Sequence, residues 1–101
     1  MWCIGLAMCL VAPALARADM KAGVAAYERG EFEAAILAWL PLAEAGDAGA
    51  QFNVGVMYSR GEGVAVDHGE AVRWYRAAAD GGFVPALFTL GLVHQSGRGA
   101  A

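Results

Sequence analysis

Within a chain of 101 residues, the stretch best equipped for chemistry is GEGVAVDHGE, residues 61–70. Gly61-Glu62-Gly63 is a glycine loop of the sort whose amides can cradle a phosphate. Close by, Glu62, Asp67, His68 and Glu70 offer three carboxylates and an imidazole, types suited to acid–base work or to holding a metal ion. Neither chemistry has the context it requires. A phosphate loop follows a strand and opens a helix. Here a helical pattern comes first, and Gly97-x-Gly99 repeats the device 36 residues further on. A metal site needs converging ligands, yet His68 and His94 have no His-x-x-x-His or Glu-x-x-His around them. Asp67 stands where a helix N-cap belongs, and Glu70 three residues later completes a capping box. No Ser-His-Asp arrangement assembles with any specificity. The residues predict no catalytic, cofactor-binding or metal-binding group, and hence no enzyme and no cofactor.

The glycines make sense as parts of a repeating frame. Residues 50–63, AQFNVGVMYSRGEG, align with residues 86–99, ALFTLGLVHQSGRG. Ala50 and Ala86, Phe52 and Phe88, Gly55 and Gly91, Gly61 and Gly97 all stand 36 residues apart, as do Ala35 and Ala71, Trp39 and Tyr75, Ala43 and Ala79. An earlier copy, Tyr27-x-x-Gly30, precedes Tyr58-x-x-Gly61 by only 31 residues, because its connector is shorter. Repeats of this length signal a stacked helical array.

Apolar periodicity supplies the helices. Ala71, Trp74, Tyr75, Ala78 and Ala79 recur at i, i+3, i+4, i+7 and i+8, and Ala50, Val54, Met57 and Tyr58 follow the same period behind Asp47. Helices are expected over about 20–29, 31–45, 48–60, 68–80 and 84–96. Pro41 should kink the second or loosen its last turn. Gly55 and Gly91, inside helices where glycine costs about 1 kcal/mol, imply that a neighbouring backbone passes close. Trp39, Trp74 and Tyr75 belong to the core. Leu87, Leu90 and Val93 await a covering helix. They imply one unit of a longer array, an unusual end cap, or coverage by another chain.

Composition narrows the class. Seven Lys and Arg against ten Asp and Glu give a net charge of −3. Such a chain has no basic stripe for nucleic acid and no polybasic face for anionic lipid. Residues 1–16 carry no charged side chain, are too short to span a bilayer, and end in Ala-x-Ala motifs. Residues 1–18 therefore read as a secretory signal peptide cleaved after Ala18, with the mature chain periplasmic or secreted. Both cysteines, Cys3 and Cys9, lie inside it. Cleavage leaves no disulfide, thiolate nucleophile or cysteine metal site. It also removes Arg17, moving the charge from −3 to −4.

The string Ala50-Gln51-x-Asn53-Val54-Gly55-x-Met57-Tyr58-x-x-Gly61-x-Gly63-Val64-x-x-Asp67, continued by Glu70-Ala71, Trp74-Tyr75, Ala77-Ala78-Ala79 and Gly82, resembles the Sel-one-like (Sel1-like) repeats, relatives of tetratricopeptide repeats. The resemblance is strong over 46–99 and looser over 20–45. It implies an all-α fold: a right-handed α-solenoid of antiparallel helix pairs, preceded by the signal peptide. Its units would be 20–46, 47–82 and an incomplete 83–101, together a repeat domain over 19–101. His94, Thr89 and Leu87 depart from the pattern set by Tyr58, Asn53 and Gln51.

The resemblance also implies a protein-binding scaffold whose first helices line a groove. Lys21, Ala25, Glu28 and Arg29 would contribute in the first unit, and Phe52, Asn53, Val56, Ser59 and Arg60 in the second. Phe88, Thr89, Leu92, Gln95 and Ser96 would do so in the third. The partner-binding set is Phe52, Asn53, Val56, Arg60, Phe88, Thr89 and Gln95, facing a protein or peptide partner, with no nucleic acid and no membrane. Some secreted relatives carry paired cysteines and have been credited with β-lactamase-type hydrolysis. That alternative lacks its cysteines here. A further alternative is the N-terminal part of a longer array with its binding site elsewhere. Expression with the leader intact in a secreting host is expected to yield a mature chain starting at Asp19, read by intact-mass spectrometry; an unprocessed mass refutes the cleavage.

Overall fold

The computed structural model describes residues 19–96, so the leader at 1–18 and Gly97-x-Gly99 lie outside the described residues. Among the described residues every regular element is a helix: α1 Met20–Glu28, α2 Phe32–Glu44, α3 Ala48–Arg60, α4 His68–Asp80 and α5 Val84–Ser96. Each packs chiefly on its neighbours in sequence, as expected of a repeat array. All bounds fall within a residue or two of those the periodicity predicts.

Three starts are fixed by aspartate caps. The Asp19 carboxylate accepts from the Lys21 amide at 2.9 Å, Asp47 from Ala50 at 2.9 Å, and Asp67 from Glu70 at 3.0 Å. Each cap satisfies an amide that has no partner inside its helix. The reciprocal half of the expected capping box is not made. The Asp67 amide already donates to the Tyr58 carbonyl at 3.0 Å. Glu70 turns instead to Arg73, whose Nε and Nη2 both donate to it at 2.9 Å. That pair holds the Glu70 carboxyl below its usual range, and the Arg73 guanidinium also lies 4.9 Å from the centre of the Trp74 ring.

The Gly61-x-Gly63 segment is structural. Gly61 ends α3 in the left-handed conformation at φ 72°, and its amide donates to the Met57 carbonyl at 2.8 Å. The Glu62 amide shares that carbonyl at 3.0 Å, so these donors are committed within the chain. Gly63, also at positive φ, lies against the α2 backbone, where a Cβ would stand 2.9 Å from the Phe32 carbonyl carbon.

Each helix pair closes on a specific contact. In α1–α2 the Trp39 ring lies directly on Gly23, its indole N–H donates to the Met20 carbonyl at 3.3 Å, and the Tyr27 ring centre is 5.8 Å away. Between α2 and α3, buried Gln51 donates from Nε2 to the Ala43 carbonyl at 3.0 Å, an acceptor it shares with the Gly46 amide at 3.1 Å. Ala35, Ala50, Val54 and Met57 are fully enclosed there, with Trp74 closing the cluster. Enclosing a Val or Met side chain contributes about 1.5–3 kcal/mol. α2 continues through Pro41 to Glu44. Leu37, whose carbonyl loses its helical donor to the proline, lies on the exposed side.

Gly55 meets its expectation and Gly91 does not. A Cβ on Gly55 would lie 2.7 Å from Tyr75 Cε1 and 3.2 Å from the Ala71 carbonyl oxygen, so α3 and α4 approach through the missing side chain. Nothing comes within 4 Å of the same position on Gly91. Only one side of α5 is covered, with Ala86 fully buried and Leu90 and Val93 half-buried; Leu87 on the other side is exposed. The same substitution should therefore act with opposite sign in successive repeats. Gly55→Ala is expected to cost about 1–2 kcal/mol net, overpacking outweighing helix propensity, while Gly91→Ala gains up to about 1 kcal/mol. Urea unfolding in dilute solution measures both, and equal effects would contradict the asymmetry.

Candidate functional site

The side chains not consumed by these contacts outline two grooves one repeat apart. The first, of about 510 Å³, runs between α1 and α3 over α2. Val24, Tyr27 and Glu28 form one wall, Phe52, Asn53, Val56 and Arg60 the other, and Trp39 the floor. Helical period explains the second wall. Positions 52, 53, 56 and 60 fall on one face of α3, adjoining the buried face of Val54 and Met57. Trp39 is 3% exposed, so the ring serves the core and presents little more than its edge.

The second groove, of about 460 Å³, is lined by Ser59 of α3, His68, Ala71, Val72 and Tyr75 of α4, and Thr89, Leu92, Val93 and Gln95 of α5. Three of these are repeat counterparts of the first groove: Tyr75 for Trp39, Thr89 for Asn53 and Leu92 for Val56, each 36 residues on. The chemistry changes between copies. The first groove holds Glu28 and Arg60, whereas the second substitutes hydroxyls, an amide and an imidazole.

Of the predicted partner-binding residues, Phe52, Asn53, Val56 and Arg60 come together in the first groove, and Thr89 and Gln95 in the second. Phe88 joins neither, being 70% exposed. Its counterpart Phe52 is half-buried, its ring centre 5.6 Å from Tyr75 and 5.3 Å from Phe83. Phe52 thus packs between helices while edging the groove. In α1 the expected register is shifted. Glu28 lines the first groove, but Lys21 and Ala25 do not, and Arg29 pairs with Glu31 at 3.1 Å beside a different hollow. Sequence reasoning missed Val24, Tyr27 and Trp39. The signal available was the 36-residue match of Trp39 with Tyr75, read as core alone. His68 lines the second groove half-buried. The side chains of His94 and Ser96 lie outside the described residues.

The charged rim of the first groove is held in place. Tyr27 donates its hydroxyl to Glu62 Oε1 at 2.7 Å, and Arg60 Nη1 donates to the same hydroxyl at 3.1 Å. Among the described residues Arg60 has no ion pair with a carboxylate, so its guanidinium remains available to an incoming acceptor. Burial raises the Tyr27 phenol above its ordinary value, and the hydrogen bond to Glu62 pushes it further up while Arg60 opposes both. No group of three or more His, Cys, Asp or Glu among the described residues is placed to hold a metal ion.

Hairpins that recur along the chain and leave grooves between their first helices define a helical-repeat protein of the interaction-scaffold class. Residues 48–83 match the Sel1 repeat family, so the chain carries a Sel1-like repeat. It is also similar to an F-box protein of Arabidopsis thaliana, 35% identical over 81 residues. That match takes in 80% of this chain, which spans 22% of the plant protein's length.

Two substitutions separate the causes acting on Tyr27. Its proton is held more tightly in the fold than in the unfolded chain. The associated stability is therefore intact below the ordinary value of 10.0 and is lost as pH rises through the higher folded value. Glu62→Gln should lower the folded titration point and Arg60→Gln should raise it, as followed by NMR of the Tyr27 ring. Shifts of the opposite sign would break the assigned network.

Proposed function

We propose that this protein is a non-catalytic scaffold that docks a peptide segment of a partner protein in the first groove, in the periplasm or secreted space. The observation that carries the reading is Arg60. It is a cation with no carboxylate partner among the described residues, held by the Tyr27 hydroxyl at 3.1 Å beside an apolar floor. The Asn53 amide stands in the same wall with no hydrogen-bond partner among the described residues, free to bond a main chain laid along it. Val24 and Val56 flank the space an apolar side chain of the segment would fill. An apolar floor beside a few convergent polar groups suits an extended segment, whose main chain bonds the polar groups while a side chain fills the apolar space.

Export is supported by the uncharged apolar leader and its Ala-x-Ala ending. The repeated hairpin, with its shorter first connector, and the Sel1 repeat match over 48–83 support a right-handed solenoid over 19–101, in units 20–46, 47–82 and 83–101. A non-catalytic role is supported by the Sel1 repeat match and by the local commitment of Asp67 to the α4 cap, Glu70 to Arg73 and Glu62 to Tyr27.

Selection of a displayed peptide library on the purified protein supplies the probe. Asn53→Ala and Arg60→Glu are each expected to weaken the selected peptides at least about tenfold, near 1.4 kcal/mol in calorimetry, with helix content unchanged. Peptides that bind both variants as tightly as the parent would remove the groove from consideration.

A further inference from the structure

Two copies of one short string end differently in this fold. Tyr27-Glu28-Arg29-Gly30-Glu31 and Tyr58-Ser59-Arg60-Gly61-Glu62 share the pattern Tyr-x-Arg-Gly-Glu, 31 residues apart. The glycine between the charges is left-handed in both, at φ 78° and 72°, so the backbone offers the same Arg–Glu pairing each time. In the first copy the charges meet: Arg29 Nη2 donates to Glu31 Oε1 at 3.1 Å. In the second they do not. The Tyr27 hydroxyl stands between them, donating to Glu62 Oε1 at 2.7 Å and accepting from Arg60 Nη1 at 3.1 Å.

A phenol has one proton to give and lone pairs with which to receive. Here the proton goes to the carboxylate and a lone pair takes one guanidinium N–H, an order that keeps the opposite charges apart. The hydroxyl is fixed in place. The Tyr27 ring centre lies 5.1 Å from that of Phe32 and 5.8 Å from that of Trp39. Glu62 is carried to it by a connector whose Gly63 rests on the Phe32 backbone. The phenol also stays neutral, because burial, and then the bond to Glu62, push it above its ordinary value of 10.0. Arg60 is thus oriented through one N–H, and no carboxylate among the described residues pairs with the rest of its fork.

A guanidinium with such donors to spare fits a carboxylate in two-point contact. The neighbouring apolar space sets a second requirement. Val56 and Arg60 stand four residues apart on α3, a rise of roughly 6 Å. In an extended segment, side chains two positions apart share a face at a spacing of roughly 6.6 Å. We propose that Tyr27 is a spacer that withholds Glu62 from Arg60, and that the cation so kept free selects a segment carrying Asp or Glu two residues from the apolar side chain seated against Val24 and Val56. The proposal rests on the reading of the first groove as a peptide-docking site, and adds to it an acidic class of ligand and a positioning role for Tyr27.

The probes are peptides selected on the purified protein from a displayed random library, each paired with a copy in which Asp or Glu is replaced by Asn or Gln. In calorimetry the acidic form is expected to bind at least about tenfold more tightly than its neutral copy. Tyr27→Phe lets Glu62 close on Arg60 as Glu31 closes on Arg29. It is expected to bring the acidic peptide down to the affinity of the neutral copy, which itself changes by less than about threefold. Adding Glu62→Gln to that variant (Y27F with E62Q) leaves Arg60 unpaired again and is expected to restore most of the preference. A structural loss at Tyr27 would weaken both peptides and resist this rescue, so a double variant that fails to recover overturns the proposal. Selected peptides that Asn53→Ala weakens but that lack an acidic residue at this spacing overturn it too, while leaving the groove reading intact. Peptides indifferent to both Asn53→Ala and Arg60→Glu remove the groove, and the acidic ligand with it.

Discussion

The architecture depends on the close approach of α3 and α4 at Gly55. The Tyr75 ring and the Ala71 carbonyl occupy the space a side chain would need. That contact brings the two backbones together and turns Val54 and Met57 into the core, where Trp74 closes over them. It also places Tyr75 between Phe52 and the second groove. A glycine that costs about 1 kcal/mol of helix propensity thus secures a packing arrangement that a larger residue would prevent.

The same economy governs the aromatic of each second helix. Trp39 and Tyr75 are both almost completely buried, and both line a groove. Core and recognition surface are therefore one construction, in which the ring that closes the hairpin also floors the space above it. Difference between the copies is confined to the walls, where a side chain can change without disturbing the packing. Glu28, Asn53 and Arg60 of the first groove give way to Ser59, Thr89 and Gln95 around the second. Repetition supplies the scaffold, and departures from it supply the chemistry.

The residues that invite a catalytic reading illustrate why composition alone misleads. Asp67 caps α4, Glu70 binds Arg73, Glu62 accepts from Tyr27, and the Gly61 and Glu62 amides share the Met57 carbonyl. Each carboxylate in this region is used by a local structural partner, and His68 stands half-buried along the second groove with Ala71, Val72 and Tyr75.

Sequence alone determined what depends on local periodicity and on the repeat interval: five helices, the aspartate starts of α3 and α4, and the α3 face carrying Phe52, Asn53, Val56 and Arg60. These follow because an α-helix fixes the relative directions of its own side chains. The tertiary structure decided what lies across a connector. The rotation of α1 brought Val24 and Tyr27 to the groove in place of Lys21 and Ala25. The loop over 61–67 carried Glu62 back to Tyr27, 35 residues earlier. The Asp67 amide found the Tyr58 carbonyl and so released Glu70 to Arg73. Such pairings depend on how far each helix turns and slides on its neighbour, which the packing of whole faces sets and no short-range pattern encodes. For the same reason the matched glycines Gly55 and Gly91 read alike in sequence, and only their surroundings make one a filled contact and the other an open slot.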